Sequence, residues 1–182
     1  MSKRSNFERK KKDQYYTIDP LAAQVLGPYV SGSTFAEPCC GNGDLVAALE
    51  AQGLRCLWES DIDPGPNYDV DGFSYFIMDA FDLEGAYLTG IRYIITNPPY
   101  ERKVLLPMIE HFTSLLPTWL LLPADLMHNQ YFGPYVKNCA KIVSIGRLYW
   151  EDNKRKGTDN YAWYFFPKRG WSDDTVFVGR TA

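Results

Sequence analysis

At 182 residues and a formal net charge of −3, the chain suits one well-buried domain and is too short for several. A hydrophobic content of 46% with 15% aromatic residues excludes a disordered chain. The longest apolar run, residues 119–122, stops at Pro123, which excludes a membrane-spanning stretch, and no apolar core follows the basic amino terminus, which argues against a secretory signal.

The four cysteines, Cys39, Cys40, Cys56 and Cys139, show no paired metal spacing, and His111 and His128 are the only histidines. No metal site is expected, and reduced thiols point to a cytoplasmic protein. Charge is distributed unevenly. Residues 37–84 hold eleven acidic side chains and one basic, Arg55, whereas residues 137–169 hold eight basic and three acidic. Residues 1–12 hold six basic and one acidic. An acidic half suits a cationic small ligand and the basic parts suit phosphates, although charge runs also serve as plain solvated surface.

In chain order, residues 1–13 read as a basic flexible tail and residues 14–182 as one domain. Asp19-Pro20 starts a short helix, with Asp19 as cap. Its expected inner face is Leu21, Val25 and Leu26, and its expected end lies near Gly27-Pro28. Residues 34–37 read as a strand, Pro38-Cys39-Cys40-Gly41-Asn42-Gly43 as a tight glycine turn, and Asp44 as the cap of a helix burying Leu45, Ala48 and Leu49. Strand, glycine turn and helix open a nucleotide-binding α/β unit, although a lone Gly-x-Gly is weak by itself and the dinucleotide fingerprint wants a third glycine.

A second strand, residues 54–60, ends in Asp61-Ile62-Asp63-Pro64. An acid there, about twenty residues past the glycine turn, is placed to bind two ribose hydroxyls, with Ile62 packing on an adenine ring. A third strand, residues 73–78, is followed by Asp79-Ala80-Phe81, where Asp79 can accept from an adenine amine and Phe81 can form an apolar wall. Singly, each acid also reads as a cap or turn residue. Three successive strands each ending in a carboxylate at one edge make a stronger pattern than any member.

Residues 93–96 read as a buried strand running into Asn97-Pro98-Pro99-Tyr100. Two prolines donate no backbone hydrogen bond and hold their predecessors extended, so Asn97 is fixed at the carboxyl end of a strand. An exocyclic amine on a nucleobase is a poor nucleophile, because its lone pair is delocalised into the ring. The Asn97 side-chain carbonyl and the Pro98 main-chain carbonyl can each accept one amine hydrogen, favouring a pyramidal nitrogen. Tyr100 offers a face for an extruded base.

Beyond this turn, residues 104–116 read as a helix kinked or delayed by Pro107, and residues 119–122 as a buried strand. Residues 124–139 are expected to be helical until Gly133-Pro134. Strands at 141–145 and 159–166 form an antiparallel hairpin, and residues 175–178 make a β-like run at an edge. The connection from Arg147 to Gly157 interleaves aromatic and basic side chains. Arg147, Tyr149, Trp150, Lys154, Arg155 and Lys156 are its candidate nucleic-acid contacts.

Asn97-Pro98-Pro99-Tyr100 resembles the catalytic motif of the amino-methyltransferases that modify adenine N6, cytosine N4 or a protein glutamine. Preceded by Tyr15-Tyr16-Thr17, the glycine turn, Asp61 and Asp79, it is similar in order to the DNA N6-adenine methyltransferases, over about residues 14–100. The resemblance implies a Rossmann-like α/β fold in three layers, with seven mostly parallel strands and an antiparallel last strand. It implies S-adenosylmethionine as methyl donor, held by Tyr16, Thr17, Glu37, Pro38, Cys39, Gly41, Gly43, Asp61, Ile62, Asp79, Ala80 and Phe81. Thr17 would hold the donor's carboxylate and Glu37 its positive end, while Asn97, Pro98, Pro99 and Tyr100 would act on adenine in DNA. Familiar members carry a separate target-recognition domain, for which this chain has no room. In size it is similar to the solitary enzymes of phages. An RNA adenine or DNA cytosine-N4 substrate, a non-catalytic donor-binding subunit, a homodimer and a recognition partner all stay open.

Overall fold

The computed structural model describes residues 16–63, 75–150, 155–168 and 174–180. The tail and Lys154 lie outside the described residues, as do Phe73 and Ser74 of the expected third strand. The elements in chain order are α1 (Leu21–Val30), β1 (Thr34–Glu37), α2 (Asp44–Glu50), β2 (Arg55–Asp61), β3 (Tyr75–Ile77) and β4 (Tyr93–Thr96). Then follow α3 (Arg102–Leu115), β5 (Thr118–Pro123), α4 (Gly133–Val136), β6 (Lys141–Tyr149), β7 (Lys156–Phe166) and β8 (Val176–Val178). Single 3₁₀ turns fill Ala80–Asp82, Gly85–Leu88, Ala124–His128 and Gln130–Phe132.

One eight-stranded sheet runs β3-β2-β1-β4-β5-β7-β6-β8. Only β7 opposes its neighbours, pairing antiparallel with both β5 and β6. This is the expected architecture, with the 175–178 run added as β8 beside β6. Apolar residues cover both faces, which is why the central strands read as continuous hydrophobic runs. Ile94, Leu120, Leu122 and Tyr164 pack on one side with Leu105, Met108, Ile109 and Phe112 of α3. Ile95, Trp119, Leu121 and Trp163 pack on the other with α1 and α2. The Trp163 indole N–H donates to the Ala22 carbonyl at 2.8 Å and fastens α1 to β7.

Local expectations fail where tertiary packing outweighs a breaker. α1 does not end at Gly27-Pro28 but runs to Val30, and it buries Ala22, Ala23, Leu26, Gly27 and Val30 while Leu21 and Val25 stay half-buried. Gly27 has no β-carbon and fits beside Gln52, so the helix persists through Pro28 against the packed neighbour. In α2 it is Val46, not Ala48, that joins Leu45 and Leu49 in the core. α3 starts at Arg102 and accommodates Pro107 on its exposed side. Gly133 and Pro134 begin α4 rather than break a helix, since proline is tolerated in a first turn. The hairpin is also longer than expected. Gly146, at φ 96°, bulges instead of ending β6, and Tyr149 still pairs with Lys156. Arg147–Tyr149 and Lys156–Gly157 of the predicted loop are therefore strand.

Candidate functional site

β1 lies between β2 and β4, so strand order reverses at the β1–β4 junction, where the carboxyl ends of an α/β sheet leave a crevice. A cavity of about 470 Å³ opens there. Its walls include Tyr16, Thr17, Glu37, Pro38, Cys39, Gly41, Asp61, Ile62, Asp79, Ala80, Phe81, Asn97, Pro98 and Pro99. The ends of β1, β2 and β4 and the residues just past β3 thus converge on one hollow. Gly43 and Tyr100 do not line it. Gly43 supplies φ 79° at the start of α2 instead.

The glycine turn is locked by the second-strand acid. Asp61 Oδ2 accepts from the Gly41 amide at 2.8 Å and Oδ1 from the Asp63 amide at 2.9 Å. Burial raises the Asp61 carboxyl, and these amides oppose the shift. A carboxylate has about four acceptor positions, so two backbone bonds leave it able to take a diol. Gly41 sits at φ 55°, and a β-carbon there would lie 2.6 Å from the Tyr16 ring, so only glycine lets that ring close over the turn. Asp79 Oδ1 accepts from the Phe81 amide at 3.0 Å and starts the Ala80–Asp82 turn.

Glu37 is the electrostatic centre. It is 1% exposed, and its Oε2 has no hydrogen-bond partner among the described residues. Burial, then Glu59 and Asp61, push its carboxyl well above the ordinary range, against the Asn97 main-chain N–H, which lowers it. An orphaned acid in an acidic hollow calls for a cationic ligand. Burial also pushes the Cys39 and Cys40 thiols upward, so neither supplies a thiolate. Among the described residues, no group of three or more His, Cys, Asp or Glu side chains is arranged to hold a metal ion, and no helix is long and apolar enough to cross a membrane.

The Asn97 amide is held at both ends. Its Nδ2 donates to Thr17 Oγ1 at 3.0 Å, and its Oδ1 accepts from the Tyr100 hydroxyl at 2.5 Å. These bonds fix which way the carbonyl points. Tyr100 leans toward Tyr161, with ring centroids 6.2 Å apart, and Tyr161 meets Trp150 edge-on at 4.8 Å. The hairpin is thereby joined to the Asn97 turn. Arg147, Arg155 and Lys156 are exposed on it, whereas Tyr149 is half-buried and its amide donates to Asp19 Oδ2 at 3.2 Å. None of these hairpin residues reaches the cavity.

Sequence reasoning missed Cys40, Leu45, Asp63, Val104 and Met108 on the cavity wall. Val104 and Met108 were recoverable, because an i, i+4 apolar pair in the helix after the proline turn shares one face. The Thr17–Asn97 bond joins residues 80 positions apart and leaves no local signal.

No family model matches the chain, and no curated protein matches it. Solved structures do. A modification subunit of a candidate type I restriction enzyme from Vibrio vulnificus is 12% identical, with a TM-score of 0.60 over 93% of this chain and 47% of that one. The M protein of the type I restriction enzyme EcoKI is 13% identical, with a TM-score of 0.58 over 93% and 49%. A candidate RNA methyltransferase from Pyrococcus horikoshii is 15% identical, with a TM-score of 0.56 over 91% and 93%. The fold is the Rossmann-like fold of methyltransferases. This chain spans about half the length of the two restriction-enzyme subunits it matches.

Proposed function

We propose that this chain is an S-adenosylmethionine-dependent methyltransferase acting on the exocyclic N6 amine of adenine in DNA. One observation carries the reading. A side-chain carbonyl, clamped by Thr17 and Tyr100, lines an acidic cavity with an orphaned buried carboxylate. The residues fit the donor in size and charge, since about 470 Å³ lies within the range of small-molecule sites. Glu37 would hold its cationic end, Thr17 its carboxylate, Asp61 its ribose and Asp79 its adenine amine, between Ile62 and Phe81. Bound there, S-adenosylmethionine would supply an electrophilic sulfonium methyl group that an amine can attack, the neutral thioether being the leaving group.

The chain's own work is to make a poor amine nucleophilic. Asn97 Oδ1 and the Pro98 carbonyl accept the two amine hydrogens, which favours a pyramidal nitrogen and directs its lone pair into the cavity. Thr17, by accepting from Nδ2, strengthens the amide oxygen as an acceptor, whereas the Tyr100 hydroxyl competes for it. The amine's surplus proton passes to water. The exposed cations Arg147, Arg155 and Lys156 face the phosphates, and Trp150 and Tyr100 stack against unpaired bases.

An RNA substrate is the second reading. It is favoured by the match along nearly the full length of both chains to the candidate RNA methyltransferase. Purified protein with labelled donor, offered DNA and RNA separately, distinguishes the two. The expected product is N6-methyladenine in DNA. Asn97→Ala should lower turnover by about 10²–10³-fold, as for loss of one preorganised transition-state partner, with donor affinity kept. Equal loss of both contradicts the role of Asn97, and donor binding without transfer to any nucleic acid contradicts the reading as an enzyme.

A further inference from the structure

α3 has two working faces. Val104 and Met108 line the acidic cavity, while Arg102, Lys103, Leu106, Pro107 and Glu110 line a second hollow of about 490 Å³, closed on its far side by Tyr135. The Arg102 guanidinium lies 4.4 Å from the centroid of the Tyr131 ring. The Tyr135 hydroxyl donates to Glu110 at 2.7 Å, and its ring stacks on Phe132 at 5.6 Å, which fixes the far wall. Arg102 and Lys103 are exposed and form no ion pair among the described residues. They stand two and three residues past Tyr100, at the same sheet edge as Asn97.

We infer that this hollow is a second nucleic-acid contact, taking the phosphate and unstacked base of a nucleotide flanking the target, on the opposite side from the hairpin. The inference rests on the reading of the chain as a nucleic-acid methyltransferase, and it names a surface that reading does not use. Three features select a nucleic-acid strand over an acidic peptide. Two exposed cations match phosphate charge, and a planar guanidinium already lying on an aromatic ring extends a stack to a base as well as pairing with a phosphate. The third is place. The first turn of α3 begins five residues past Asn97, beside the path of a strand delivering a base there. The acidic cavity repels the backbone, so cations just outside it set where the strand can lie.

The test uses the full chain and a fluorescein-labelled 12-nucleotide single-stranded DNA, read by anisotropy across a salt series. Arg102→Glu combined with Lys103→Glu should weaken binding at least tenfold. It should also flatten the log–log salt slope by about 1.4, for two lost phosphate contacts at about 0.7 each. Lys168→Glu, an exposed charge past the far end of β7, should change neither quantity. Donor affinity, measured by calorimetry, should be unchanged in the double variant, which verifies its fold. Arg102→Lys should keep the slope and lose part of the affinity, because stacking is lost while charge remains.

Unchanged oligonucleotide affinity and slope in the double variant overturn the inference. So does a hollow that captures a poly-glutamate peptide while the chain ignores DNA. Binding is read without turnover, so the two claims fail separately. Absent methyl transfer with a working contact sinks the activity alone, and intact transfer with an unaltered double variant sinks the contact alone.

Discussion

Replacing Glu37 by Gln should stabilise the free protein and weaken donor binding, two effects of opposite sign from one atom's neutralisation. The carboxylate is 1% exposed with Oε2 unpartnered, so its charge is held at a cost. Its folded-state value is raised above the ordinary 4.5 by burial first and then by Glu59 and Asp61. The unfolded chain therefore gives up this proton at lower pH than the folded one. The stability that Glu37 contributes is complete below pH 4.5 and declines as pH rises toward the raised value. Gln removes that decline. Gln still buries an unpartnered polar atom but no charge, so near pH 8 the variant should gain the part of the cost due to charge, on the order of 1 kcal/mol or more. At roughly 2–4 °C per kcal/mol for a domain this size, Tm should rise by a few degrees or more at pH 8, and by less at pH 5. A cationic donor, losing a charge-assisted bond worth about 1.5–3 kcal/mol, should bind about 10–150-fold more weakly. Thermal scans at both pH values, with and without donor, read both effects. A variant that melts lower at pH 8, or binds donor as tightly as the parent, refutes the reasoning.

Thr17→Val removes the acceptor for Asn97 Nδ2 at 3.0 Å and should cut turnover about tenfold, with Thr17→Ser restoring it. Steady-state kinetics that leave kcat untouched in the valine variant would remove Thr17 from the positioning of the amide. Gly41→Ala, at φ 55° and with its new β-carbon 2.6 Å from the Tyr16 ring, should lose about 1–2 kcal/mol from backbone conformation alone. It should weaken donor binding as Tyr16 is displaced, and an unshifted Tm by calorimetry would contradict the turn's geometry. Asp19→Ala strips acceptors from the Leu21 and Tyr149 amides at 3.0 and 3.2 Å. It should cost about 1–3 kcal/mol in denaturant unfolding, and a midpoint matching the parent would show that water replaces both bonds.

The strands and the acids at their ends were legible because a sheet buried on both faces leaves uninterrupted apolar runs, each terminated by a polar residue at the same edge. The glycine turn and the Asn97 turn were legible because glycine and proline carry backbone instructions of their own. Gly27-Pro28, Pro107 and Gly146 misled for the converse reason. Each is a breaker locally, and each is tolerated because long-range packing holds its element together or because a bulge absorbs it. Asp19 reads as a cap, and its Oδ1 does accept from the Leu21 amide, but its second oxygen reaches Tyr149, 130 residues away. Tyr100 was expected to offer its ring to a base. Its hydroxyl also engages Asn97, and its ring leans toward Tyr161, a partner distant in sequence.

Long-range contacts converge on three residues. Tyr16 closes over Gly41, Thr17 holds the Asn97 amide, and Asp19 binds both the first turn of α1 and the turn end of the β6–β7 hairpin. The stretch before α1 thus touches the glycine turn, the amide turn and the hairpin, none of which are neighbours in the chain. A segment outside any helix or strand gains little from its own hydrogen bonds, so it is ordered here by what it ties together. The same ties explain why an asparagine on a short proline turn has one defined side-chain orientation. Its direction is set by a hydroxyl on each side, one from the segment that walls the cavity and one from its own turn. The orientation of the acceptor and the shape of the cavity are therefore properties of one connected network.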